Sequence, residues 1–196
     1  IVFTYTTLKK EIENIIELFS KRKSVDLNVV IGLWGELFFI NESSNIQSTL
    51  KAWHNEENNR FDFSLSDNEY LEIKTTLSPN RLHTFSNKQI KNYKDLNVEV
   101  VSIQTELTGT GKSLKDLWDS INNSIEDLEL KNKLQSLIFG TLKSDLDAAY
   151  DYRFDVGFAK SSLKYFNTKD IPSINDSFHH SIRKLSLDID LDLINS

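Results

Sequence analysis

The chain has 196 residues and a mass of 22.7 kDa, enough for one substantial hydrophobic core. A hydrophobic content of 39%, no cysteine and a net charge of −6 exclude disulfide scaffolds, thiolate metal sites, cysteine nucleophiles and nucleic-acid binding by bulk positive charge. Any metal site is therefore expected to use oxygen ligands, and the lack of a membrane-length apolar run or of a basic-then-apolar leader makes the cytoplasm the default compartment.

The chain opens on Ile1 and contains no methionine, as a piece of something longer would. Leu8, Ile12, Ile15, Ile16 and Phe19 recur at helical spacing and predict an amphipathic helix over 6–23. A second helix is predicted over 27–40, with Val29, Val30, Leu33, Leu37 and Ile40 in one stripe. Glu36 lies about 60° from Leu33 on the helical wheel, at the edge of that stripe. It is either a solvated boundary residue or an acid leaning toward a site. Gly32 and Gly35 allow another backbone to come close. A third helix is predicted over 46–53. A polar loop follows, in which His54 is read as a loop histidine and not a ligand.

The segment 60–76, RFDFSLSDNEYLEIKTT, is a predicted β-hairpin. Glu72 and Lys74 are two apart and share one face, while Leu71, Ile73 and Thr75 take the other. With Ser66-Asp67-Asn68 as the loop, Leu65 falls opposite Glu69 and Asp62 opposite Glu72. Cross-strand Cβ atoms are then roughly 5 Å apart, close enough to share one ion. A two-residue loop would turn Asp62 to the wrong face. Two carboxylates beside an ammonium repel and resist desolvation, and a divalent cation relieves both effects.

Past the turn at 77–80 come Arg81, His83 and Phe85. Ser86-Asn87-Lys88-Gln89 matches a capping box, so a helix is predicted from Ser86 to about Asp95. Arg81, Lys88, Lys91 and Lys94 form a basic set suited to phosphates or simply to water. Residues 97–107 predict a buried strand. Gly109-Thr110-Gly111-Lys112-Ser113 resembles half of a phosphate-binding loop, but Glu106 stands where its first glycine belongs. No nucleotide site is expected, and Ser113 is read as a helix cap.

Helices over 114–127 and 130–142 follow, then a short helical turn carrying Asp145, Asp147 and Asp151 as surface residues. Strands are predicted over 153–158, 163–166 and 181–193, the last with leucines and isoleucine alternating with aspartates. The parse is a single α/β domain over 1–196 with a C-terminal β extension.

Asp62, nine residues, then Glu72-Ile73-Lys74, all preceded by a helix bearing Glu36, resembles the PD-(D/E)XK nuclease superfamily of restriction and repair enzymes. The blocks GLWGELFFI, AWH, RFDF, LEIKTT, RLHTFSNKQI and SIRKLSLDIDL are similar to a bacterial group of PD-(D/E)XK motif proteins found beside DNA methyltransferases and ATPases in restriction or phage-defence loci. The resemblance implies a restriction-endonuclease-like core, a mixed central β-sheet flanked by helices. It also implies a Mg²⁺-dependent deoxyribonuclease, with Mn²⁺ able to substitute.

On that resemblance Asp62, Glu72 and the Ile73 backbone carbonyl are metal ligands. Glu36 is a further metal ligand, directly or through water, and an acid of the catalytic set; Lys74 positions or activates the attacking water and stabilises phosphorane charge. Arg81, His83, Ser86, Lys88, Gln89, Lys91 and Lys94 form the implied DNA-facing set. The implied partners are double-stranded DNA and the methyltransferase or ATPase subunits of a defence locus; a homodimer is compatible with the role and a membrane is not involved. Two departures stand out. Phe61 occupies the place of the motif proline, and relatives of this kind look longer at the N-terminus, where a recognition or partner-binding part is expected. The alternative is a catalytically inactive DNA-binding or assembly module that keeps the fold.

Overall fold

A computed structural model describes residues 25–55, 60–91, 95–174 and 181–194, together with Lys9 and Ile12. Apart from those two residues, the helix expected over 6–23 lies outside the described residues.

Helix α1 (Leu27–Glu42) starts at Asp26, whose carboxylate accepts from the Asn28 N–H at 2.9 Å. Val30, Ile31, Leu33, Trp34, Leu37, Phe38 and Ile40 are buried, whereas Val29 of the predicted stripe is exposed. A helix apolar on most of its circumference belongs inside the fold, and α1 is covered on several sides. Helix α2 (Ile46–Ala52) follows, capped by Asn45, and ends at Trp53 and His54. Strands β1 (Phe63–Ser64) and β2 (Glu69–Thr76) then form the central hairpin. Next come β3 (Leu82–Ser86), the short helix α3 (Asn87–Ile90), β4 (Asn97–Gln104) and β5 (Leu107–Ser113). After them lie α4 (Leu114–Asn123), α5 (Leu128–Leu142), a 3-10 turn (Lys143–Asp145) and α6 (Leu146–Tyr150). The chain continues through β6 (Arg153–Phe154), α7 (Val156–Ser162), β7 (Lys164–Asn167), β8 (Ser186–Asp190) and a 3-10 turn (Leu191–Leu193).

The central sheet is mixed, in the order β1-β2-β4-β7. β1 and β7 run antiparallel to their neighbours, and β2 and β4 are parallel. One face packs Leu71, Ile73, Val101 and Ile103 against α1, α4 and α5, in a core centred on Trp34, Phe38, Trp53, Phe63 and Phe154. Trp34 stacks on Phe38 at 5.2 Å and donates its indole N–H to the Lys112 carbonyl at 3.0 Å, which fixes the β5 strand against α1. Each such buried side chain contributes roughly 1.5–3 kcal/mol. The other face carries Val100, packed with Phe85, Ile90, Ile171 and Leu191 in a smaller cluster. This second layer is the β3/β8 pair, antiparallel with Phe85 opposite Leu187. A Cβ on Gly35 would fall on the Thr75 hydroxyl, so glycine there sets how closely α1 lies on β2.

Several boundaries differ from the sequence reading. The helix predicted from Ser86 to Asp95 stops at Ile90, with Lys91 extended (φ −60°, ψ 131°). Phe158, predicted in a strand, is helical because Asp155 accepts from its N–H and starts α7. The segment around Gly109–Lys112 is itself a strand, paired with β6, and Ser113 caps α4 through a reciprocal box with Asp116. Of the residues predicted as the last strand, only Ser186–Asp190 are paired, and Leu191–Leu193 turn in a 3-10 helix.

Candidate metal centre

The hairpin register is the one an odd loop dictates. Phe63 pairs with Leu71 and Ser64 with Tyr70, so continuing the count places Leu65 opposite Glu69 and Asp62 opposite Glu72. Regular pairing ends at Phe63, and Asp62 takes over with its side chain. Its Oδ2 accepts from the Ile73 N–H at 2.7 Å. A strand residue turns its N–H and C=O to the same side, so the Ile73 carbonyl opens toward this edge too. Across the sheet, Glu72 and Lys74 lie beside Val100 and Ser102 on the face of the smaller cluster.

Glu72 is 3% exposed. One carboxylate oxygen, Oε1, meets the Lys74 ammonium at 3.0 Å and accepts from the Gln89 side-chain amide. The other, Oε2, is buried without a hydrogen-bond partner. Lys74 also sits 5.2 Å from the centre of the Phe85 ring. Burial pushes the Glu72 carboxyl up to about 7; Lys74 opposes the shift, Glu36 adds to it and His54 opposes it. Asp62 is raised well above the usual carboxylate range, by burial first and then by Glu72 and Glu36, against the Ile73 N–H and Lys74. The two opposed acids are held in a place that disfavours their charge.

Glu36 arrives from α1. Its Oε2 accepts the Trp53 indole N–H at 2.6 Å and lies 3.0 Å from His54 Nε2. Ligand atoms of Glu36, His54 and Asp62 all fall within 4.8 Å of one another. The sequence reading of His54 as a plain loop residue missed this: it does lie in a turn, but the turn folds back to the hairpin, and the His54 N–H donates to the Asp62 carbonyl at 2.8 Å. The only sequence signal was its place directly after Trp53 at the end of α2. Glu36, Asp62, Glu72, Lys74 and Thr84 line one open cleft of about 770 Å³.

Of the residues expected to face DNA, two are internal. The Arg81 guanidinium, 3% exposed, donates from Nη1 to the Ser102 carbonyl (3.0 Å) and hydroxyl (2.9 Å) and from Nη2 to the Ser162 carbonyl; its Nε is 3.4 Å from Asp192. Arg81 therefore braces β3 and β8 against β4, and the expectation of a phosphate contact is corrected. His83 is buried with Nε2 at 2.7 Å from the Ser102 hydroxyl. That hydroxyl accepts from Arg81 and keeps both a lone pair and a proton, so either partner can donate in its bond to Nε2, according to the ring's tautomer. Burial, Lys74 and Arg81 lower the His83 pKa to about 4, so the ring is neutral and phosphate attraction is corrected here as well. The Ser86 N–H donates to Gln89 Oε1 at 2.8 Å, closing the predicted capping box while Gln89 reaches Glu72 with its other end. Lys88 is exposed on α3, Lys91 is exposed beyond its end, and Lys94 lies outside the described residues. The single helical face expected to carry Lys88 and Lys91 together is thus not formed, because the helix stops at Ile90.

Arg81→Met is expected to destabilise the protein by about 3 kcal/mol, because buried carbonyls lose their donors. Urea denaturation measures this. DNA affinity per folded molecule should be unchanged, and a stable variant with weakened DNA binding would restore the phosphate role.

A mixed sheet flanked by helices, with an acid on an edge hairpin opposite an acid-x-lysine strand, defines a restriction-endonuclease-like fold, and its acids form a group that could hold a cation. The chain belongs to the family whose model is described as "Putative PD-(D/E)XK family member" (DUF4420), which matches residues 5–192. No curated protein and no solved structure matches the chain. Nuclease-type hydrolysis with a divalent metal is the chemistry of that superfamily. The buried unpartnered Glu72 oxygen, the surplus of three acids over one lysine, and the Glu36–His54–Asp62 cluster fit such an ion. No helix among the described residues is long and apolar enough to cross a membrane.

Proposed function

We propose that the protein is a divalent-metal-dependent deoxyribonuclease that hydrolyses phosphodiester bonds in double-stranded DNA. The observation that carries this reading is the hairpin register, which sets Asp62 opposite Glu72 with Lys74 on the same face. Asp62 and Glu36 would hold the cation, with the Ile73 carbonyl and the unpartnered Glu72 oxygen as its further ligands. A divalent ion bound there supplies a Lewis acid for a phosphate oxygen and lowers the pKa of a bound water. Lys74 contributes a fixed positive charge where negative charge develops on phosphorus oxygens. Trp53 keeps Glu36 oriented, Ile73 keeps Asp62 oriented, and Gln89 keeps Glu72 from swinging away. Lys88 on α3 and Lys91 just past its end are exposed cations that this reading offers to the DNA backbone.

Mg²⁺ is the physiological ion of this reading, with Mn²⁺ as substitute, and a restriction-modification or phage-defence setting with methyltransferase or ATPase partners is its context. The test is incubation of the purified chain with supercoiled and linear plasmid, methylated and unmethylated, with Mg²⁺, Mn²⁺ or EDTA. Nicked or linear product that needs the ion is expected. Intact DNA in every arm would overturn the reading in favour of a non-catalytic module.

A further inference from the structure

We propose that His54 binds the metal directly through an imidazole nitrogen, so that the Glu36–His54–Asp62 cluster prefers Mn²⁺, or a neighbouring transition ion, over Mg²⁺. The proposal rests on the metal-site reading above and replaces both its ligand set and its preferred ion. Absence of cysteine pointed to oxygen ligands only, yet the fold delivers a nitrogen donor to the same place as two carboxylates.

Three observations converge on His54. Its backbone has φ 43°, in the left-handed region; among described residues only Lys143 shares a positive φ without being glycine. Such a conformation costs on the order of 1 kcal/mol and persists where its surroundings enforce it. Here the enforcement is a main-chain hydrogen bond to Asp62, which fixes histidine and aspartate as neighbours before any ion arrives. The ring then stands with Nε2 at 3.0 Å from Glu36 Oε2. Two donors placed at right angles on one ion, each about 2.1 Å from it, are separated by about 3 Å. The third observation is independent of the cluster: Glu72, 3% exposed and lining the cleft that Glu36 and Asp62 also line, keeps one carboxylate oxygen with no partner. A cation in the cleft gives that oxygen a counter-charge.

The Trp53 indole matters for the choice between a direct ligand and a mere positioning residue. It already donates to Glu36 Oε2, so Glu36 is oriented without help from His54. An imidazole suits Mn²⁺ and the later transition ions, while Mg²⁺ takes oxygen ligands by preference. A nitrogen in this set therefore sets metal choice, whereas a histidine that only steadied Glu36 would affect every ion alike.

The experiment is pulsed electron paramagnetic resonance on the purified chain with Mn²⁺ and no DNA, read for coupling to a directly bound nitrogen. Wild type is expected to show the coupling and His54→Gln to lack it. Mn²⁺ affinity should fall by about tenfold or more in His54→Gln, with a smaller fall for Mg²⁺ measured by competition. Bound Mn²⁺ without nitrogen coupling in wild type, which needs no variant to interpret, would overturn the proposal. So would equal losses for both ions, or coupling that survives His54→Gln and so belongs to another of the four histidines. Nuclease activity is a separate readout: cleavage by a protein whose Mn²⁺ shows no nitrogen leaves the nuclease reading standing and removes this one.

Discussion

Glu72→Gln is expected to reduce cleavage by about 10³-fold or more while making the metal-free protein more stable at pH 8. The two effects have one origin. Glu72 is buried with one oxygen unsatisfied, and its carboxyl is raised to about 7 even though Lys74 touches it. At pH 8 the folded protein therefore holds a charge that its surroundings resist. Glutamine keeps the shape and can still accept from Lys74 and from Gln89, but carries no charge. The gain should be about 1–3 kcal/mol at pH 8 and close to zero at pH 5, where Glu72 is already protonated in the fold. Lys74→Met should also remove activity and move stability the other way, because the acids then lose their ammonium. Plasmid cleavage rates and thermal denaturation in EDTA, run on all three proteins, check both halves. A Glu72→Gln protein that is fully active, or one that is less stable at pH 8 than at pH 5 relative to wild type, would refute the account.

Divalent metal is expected to stabilise the protein much more at pH 8 than at pH 5. A folded-state pKa above the unfolded value means that the folded chain binds the proton more tightly. The stability contributed by protonated Glu72 is complete below about 4.5 and is lost as pH rises through about 7, a change of about 3 kcal/mol. Asp62 adds to the loss in the same direction, since its carboxyl is also raised. A cation reverses this by pairing with ionised acids, and it cannot compete where those acids hold protons. At a hundred times its dissociation constant an ion contributes about 2.7 kcal/mol. Denaturant titrations at pH 5, 6, 7 and 8 with and without Mn²⁺ measure the effect, and the difference between wild type and Glu72→Gln isolates the residue. A metal increment that is the same at all four values would sink the claim.

The acid-lysine hairpin was legible from sequence because everything that determines it is local. Strand alternation fixed Glu72 and Lys74 on one face, and the odd Ser66-Asp67-Asn68 loop fixed the register with Asp62. The capping box at Ser86 was legible for the same reason. Its helix length was not, since what ends α3 after Ile90 carries no sequence punctuation such as glycine or proline. Arg81 and His83 looked like surface cations because their partners, Ser102, Ser162 and Asp192, are distant in the chain. His54 was hidden differently: its neighbour Glu36 sits on a helix packed across the core, and no periodicity links a turn residue to it. Asp155 as a helix cap was visible and overlooked, because Phe154 and Phe158 resembled a strand.

The pairing of β3 with β8 has a meaning for the order in which the chain is made. Asp62, Glu72 and Lys74 leave the ribosome well before β8, and the strand that precedes Gln89 finds its partner only when Ser186–Asp190 has been synthesised. Arg81, which braces that strand, waits for Asp192. The cleft's second wall is thus completed by a strand made long after the acids, and a nascent chain carries the acids of the site well before it carries the enclosure that holds Glu72 in place.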